Sequence, residues 1–156
     1  MTTFRLILVC GLLSLLQQCS FEHKNTTNTQ MEKKIIFTEQ VPAPIGPYSQ
    51  AVKIGNTLYC SGQIALDTAG NMHNDSIEAE TKQVMHNIKA LLNAAGMDFS
   101  NIVKTTIFIT DMADFAKING VYAASFEADF PARETVQVSA LPKGANVEIS
   151  VTAVEH

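Results

Sequence analysis

Arg133 is the one arginine downstream of residue 31, where the other eight cations are lysines. It stands in Phe130-Pro131-Ala132-Arg133, at a point where an apolar loop feeds a strand. A guanidinium is planar, permanently charged and forked, so it suits a carboxylate that must be held in one orientation. A solvated surface ion pair is its other common use. Glu148, in the final strand, supplies an opposite charge, and the two are either a mutual salt bridge or the charged part of a site. Three more positions have this double reading. Tyr48 follows the restricted turn Gly46-Pro47, so its ring is either held for a ligand or packed. Gly62 interrupts a strand in Ser61-Gly62-Gln63, as at a bulge or a close approach of backbone to ligand. Asn119 adjoins Gly120 inside an otherwise helical pattern.

The elements that must position these residues run β-β-β-α-β-α-β-β. Strands are expected at 34–38, 49–54, 57–64 and 102–109, with Gly55-Asn56 as a hairpin turn. Asp75 is expected to cap the first helix, with Glu78 three residues later, an apolar stripe of Ile77, Val84, Met85, Ile88, Leu91, Leu92 and Ala95, and Gly96 as the stop. Asp111 starts a second helix whose stripe is Phe115, Ile118, Val121, Tyr122 and Phe126. The last two strands, 135–140 and 147–154, alternate apolar and polar residues across the turn Leu141-Pro142-Lys143-Gly144-Ala145. Antiparallel pairing of the two would put Arg133, Thr135, Gln137, Ser139 and Glu148 together on the face turned from the core. Two helices on one side of a mixed sheet make an α+β sandwich. The uncovered face is then wet or an interface between copies.

The chain divides into three parts. Leu6 to Leu16 is an apolar stretch after Arg5, of signal-peptide length and too short to span a membrane. Residues 1–19 therefore read as an export signal that ends at Cys19 in Gln17-Gln18-Cys19-Ser20. That run resembles a bacterial lipobox, although Gln18 departs from the small residue usual there. Residues 20–32 read as a flexible tether, and 33–156 as the folded domain. Lipidation at Cys19 would anchor the domain to a bacterial membrane facing the periplasm, whereas translation from Met31 would leave it cytoplasmic. Cys60 is then the one cysteine of the domain, and a solitary strand cysteine is a small buried hydrophobe. From residue 31 onward nine Lys/Arg stand against fourteen Asp/Glu, which argues against a general nucleic-acid surface. The four histidines lack ligand spacing, so no metal is expected. No phosphate loop or nucleophile elbow is present.

Taken together, Ile45-Gly46-Pro47-Tyr48-Ser49-Gln50-Ala51, Ser61-Gly62-Gln63-Ile64, Val103-Lys104-Thr105-Thr106-Ile107-Phe108-Ile109, Phe130-Pro131-Ala132-Arg133 and Leu141-Pro142-Lys143 closely resemble the Rid family, of RidA/YjgF type. The resemblance covers essentially the whole domain. It implies a chorismate-mutase-like α+β fold, a mixed sheet with two helices on one face, and a homotrimer with sites in the clefts between subunits. It also implies hydrolysis of 2-imino acids such as 2-iminobutanoate and 2-iminopropanoate, or their enamine tautomers, to 2-oxo acids and ammonia without a cofactor. Carried onto these positions, Arg133 binds the substrate carboxylate, Glu148 positions or activates water, and Tyr48 lines the pocket. Gly62 offers backbone, Asn119 sits at the cleft, and Thr135 stands where this branch often has cysteine. The rival readings are a trimeric module that binds small carboxylates without turnover and, less favoured by the acidic balance, an endoribonuclease-like activity.

Overall fold

The computed structural model describes residues 31–156. The segment expected to be an export signal, Cys19 and the expected tether as far as residue 30 lie outside the described residues. Eight elements follow in the expected order: β1 (Lys33–Ile36), β2 (Ala51–Ile54), β3 (Thr57–Cys60), α1 (Ile77–Ala94), β4 (Ile102–Ile109), α2 (Phe115–Ala123), β5 (Ala132–Gln137) and β6 (Val147–Val154). The six strands form one sheet in the order β1-β2-β3-β6-β4-β5. Only the β4–β5 pair is parallel.

Local chemistry sets the helix ends. The cap of α1 is Ser76 and not Asp75: the Ser76 backbone is extended and its hydroxyl accepts the Ala79 amide at 3.1 Å. The helix therefore starts one residue later than expected and brings Glu78 and Glu80 into its first turn, where carboxylates are favoured. It ends as expected at Gly96, whose φ of 76° suits glycine. The Gly96 and Met97 amides close back onto Asn93 and Leu92, a Schellman end. Asp111 caps a single 3-10 turn, and the α-helix proper begins at Phe115. Within α2, Ile118 and Tyr122 are buried, while Phe126 lies just past the helix and packs against the core.

The core lies between α1 and the sheet. Val84, Ile88, Leu91 and Leu92 of α1 meet Leu58, Ile107, Ile109, Val147 and Ile149, all fully buried. The alternation of buried residues along β6 matches the sequence pattern.

The expected pairing of the last two strands does not form. β4 lies between them, antiparallel to β6 and parallel to β5. Two observations supply the reason. β5 follows β4 through a helix, and a strand-helix-strand unit returns parallel. The segment after β5 then crosses the end of β4, where the Val138 amide donates to Ile109 and the Thr110 amide to Asn146. Lys143 and Gly144, both at positive φ, turn it into β6.

The expected grouping on one face changes accordingly. Arg133 pairs with Thr105, and Thr135 with Ile107, in rows that continue to Val151 and Ile149. These belong to the helix side. Glu148 pairs with Phe108, whose other neighbour is Val136, on the uncovered side. Arg133 and Glu148 thus occupy opposite faces of one sheet. The uncovered face also exposes Ile35, Tyr59 and Val136, by 50%, 52% and 42%.

Candidate active site

The arginine half is built by β5 and α2. Arg133 donates from Nη1 to Oδ1 of Asn119 at 2.7 Å. Its guanidinium lies over the rings of Tyr122 and Phe115, at 5.2 and 5.8 Å from their centroids. Stacking and one hydrogen bond fix the plane of the fork and leave most of its N–H groups free. Tyr122 is itself held, since its hydroxyl donates to Thr105 at 3.0 Å. Among the described residues Arg133 joins no ion pair. It borders a cavity of about 380 Å³ with Asn119, Tyr122, Ala123, Phe130 and Pro131. An anion entering there meets one positive charge, with the Asn119 amide beside it, in a wall otherwise made by Tyr122, Ala123, Phe130 and Pro131.

The glutamate half lies on the other face. β3 ends at Cys60, and the chain returns to β6 at Gln63, which exchanges two backbone hydrogen bonds with Ile149 at 2.9 and 3.1 Å. Between them Ser61 and Gly62 step out of the ladder, anchored by the Ser61 hydroxyl donating to the Ser49 carbonyl at 2.6 Å. Glu148 folds into the space this leaves. A Cβ at Gly62 would lie 3.0 Å from Cγ of Glu148 and closer still to its carboxyl. Any side chain here would push the Glu148 carboxyl out of its place. Half-buried, Glu148 has its carboxyl pushed above the ordinary range by desolvation. Tyr48 curls over its own turn, its amide donating to Gly46 at 2.9 Å and its phenol oxygen accepting the Ile45 amide at 3.3 Å. Tyr48, Ile45, Ser61, Gly62, Ile64, Pro142 and Glu148 surround a cavity of about 230 Å³.

The structure therefore brings Arg133 and Asn119 together in one half, and Glu148, Gly62 and Tyr48 in the other. Thr135 lines neither cavity; its hydroxyl is sheltered and has no hydrogen-bond partner. Cys60 is a buried thiol pushed up to about 12 by desolvation, which suits packing and not nucleophilic attack. Among the described residues no three His, Cys, Asp or Glu side chains gather as metal ligands, and no helix is long and apolar enough to cross a membrane. The sequence reading placed Phe115 and Tyr122 in the apolar stripe alone. They stand four residues before and three after Asn119, a spacing that puts all three on one helix face.

A six-stranded mixed sheet with two helices on one face, bearing a stacked arginine on one side and a desolvated carboxyl on the other, defines an α+β protein. The family model described as Endoribonuclease L-PSP matches residues 38–155, and the chain belongs to this family, the Rid family of RidA/YjgF type. The 2-iminobutanoate/2-iminopropanoate deaminase of Bos taurus is 47% identical over 128 residues, covering 81% of this chain and 93% of the relative. A RutC family protein of Pyrococcus horikoshii is 49% identical over 122 residues, covering 78% of this chain and 97% of the relative. Among solved structures, the Rid family protein YyfA of Yersinia pestis superposes with a TM-score of 0.77 at 48% identity, covering 80% of this chain and all of that one.

Proposed function

We propose that the protein is a cofactor-independent 2-imino acid deaminase that works on 2-iminobutanoate and 2-iminopropanoate, with each site assembled between two copies in a homotrimer. The observation that carries this reading is the division of labour between the two halves: a free, oriented arginine on one face and a carboxyl raised by burial on the other. Binding a carboxylate needs only the first. A glutamate beside an anion weakens binding, so its presence favours proton transfer over mere capture.

The reaction needs little more than these parts. Arg133 holds the substrate carboxylate by paired hydrogen bonds, which aims the imine carbon at the glutamate of a neighbouring copy. Glu148 accepts a proton from water as the water oxygen bonds to that carbon. With the imine bound in its protonated form, the C=N electron pair moves to nitrogen, and Glu148 returns its proton to that nitrogen. As the C–N bond breaks, the adduct's hydroxyl gives its own proton to Glu148, which passes it to solvent, and ammonia and the 2-oxo acid leave. A carboxyl raised by burial is nearer the working pH than an ordinary one, so it takes up and returns a proton more readily. Tyr48 closes the wall of the cavity and Gly62 keeps backbone close to the reacting centre. Asn119 serves Arg133 directly.

The test follows decay of 2-iminobutanoate generated in situ with purified wild type, Arg133→Ala and Glu148→Ala. Faster release of 2-oxobutanoate by wild type alone supports the proposal. A spontaneous rate from folded wild type on several imino acids sinks it. Attachment of lipid at Cys19 would place this chemistry at a membrane; a palmitate analogue should label the wild type and not Cys19→Ser, and label retained by the variant would refute that placement.

A further inference from the structure

Glu80, in the first turn of α1, is fully buried and belongs to neither cavity. Its Oε1 accepts the amides of Asn146 and Val147 at 2.6 and 3.3 Å, and its Oε2 accepts Nδ2 of Asn146 at 3.0 Å. Asn146 is in turn tied to the end of β4, accepting the Thr110 amide at 3.0 Å and its hydroxyl at 3.3 Å. All these bonds converge just before Glu148. The preceding turn has two consecutive residues at positive φ, Lys143 and Gly144, and contributes Pro142 to the cavity around Glu148. Burying a charge costs stability unless several donors compensate it, and a fold staple alone is made more cheaply by apolar packing.

We propose that Glu80 is a positioning residue for Glu148: by clamping Asn146 and the first amide of β6 it fixes the entry of that strand and the Pro142 turn, and so the place of the Glu148 carboxyl against Gly62. This rests on the deaminase reading for its consequence in turnover but not for its structural content. Glu80→Asp keeps the charge and withdraws it by one methylene, out of reach of all three donors at once. Glu80→Gln keeps the length and puts an N–H group against donors. Displacement of the clamp loosens the turn, and water enters beside Glu148. Tyr48 is the other titratable side chain lining that cavity.

The experiment uses the full chain and both variants, with carbon NMR titration of the Glu148 carboxyl beside steady-state kinetics. Both variants are expected to lower the Glu148 midpoint and to cut kcat by about ten- to a hundredfold, as small misplacements of a reacting group do, while KM stays within about twofold because Arg133 lies elsewhere. A wild-type midpoint and kcat in both variants, with only a lower melting temperature, would show a fold staple and overturn the proposal. An effect confined to Glu80→Gln would trace to charge and overturn it also. If either Glu80 variant fails to fold, Asn146→Ala, which removes one of the three bonds, is expected to move the same readouts in the same direction. Should the wild type not deaminate at all, the deaminase reading fails, and the titration still decides the clamp.

Discussion

At the scale of single residues, the two charges differ in how the chain treats them. Arg133 is presented with its fork stacked and steered by Asn119, so its value lies in geometry as well as charge. Arg133→Lys keeps the charge and loses fork and stack; kcat/KM is expected to fall about a hundredfold, equivalent to about 3 kcal/mol of transition-state binding. Loss of less than threefold would show that the carboxylate sits elsewhere. Glu148 is treated oppositely, being desolvated without a compensating cation. Its raised folded-state pKa means that the native protein holds that proton more tightly than the unfolded chain. The contribution to stability is full below the unfolded value and is lost as pH rises through the folded one. Glu148→Gln should therefore melt above wild type at neutral pH, by a margin that shrinks as the pH falls through the raised value. The acid limb of kcat/KM should lie above the ordinary glutamate value of about 4.3. Arginine was legible in the sequence because it is unique in its region. The aromatic rings under it were not, because a residue packed on a helix face looks the same whether its neighbour is the core or a guanidinium.

At the scale of elements, alternation matches what β4 and β6 bury, but along β5 it points to the wrong face, and nowhere does it say which strand lies beside which. The 135–140 and 147–154 runs look like a hairpin because a turn joins them, and periodicity carries no information about an inserted neighbour. Only the crossover through α2, which returns β5 parallel to β4, separates Arg133 from Glu148. The break at Gly62 was visible as a glycine in a strand, but its cause, the Glu148 side chain folded against it, needed the register. Gly62→Ala tests that element directly. The added methyl displaces a flexible carboxyl and little backbone, so the protein should fold. KM should stay close to wild type, and kcat should drop at least about tenfold as the base moves. Unchanged kcat would show that the close approach is incidental.

At the scale of the whole molecule, one chain presents Arg133 and Glu148 on opposite faces of its sheet. The uncovered sheet face was expected to be polar, with Arg133 upon it; instead it exposes Ile35, Tyr59 and Val136 beside the Lys104–Glu134 ion pair. Exposed apolar groups on a sheet face suit contact between copies. Tyr59→Lys should shift sedimentation from trimer to monomer and remove turnover with the fold retained. The most direct measurement mixes Arg133→Ala with Glu148→Ala, unfolds and refolds them together, and follows 2-iminobutanoate decay. Each variant alone should be inactive, whereas random assortment should regenerate about a quarter of wild-type activity, because a site then draws its arginine and its glutamate from different copies. No recovery in properly assembled mixed trimers, with wild type refolding to full activity beside them, would contradict a site shared between copies.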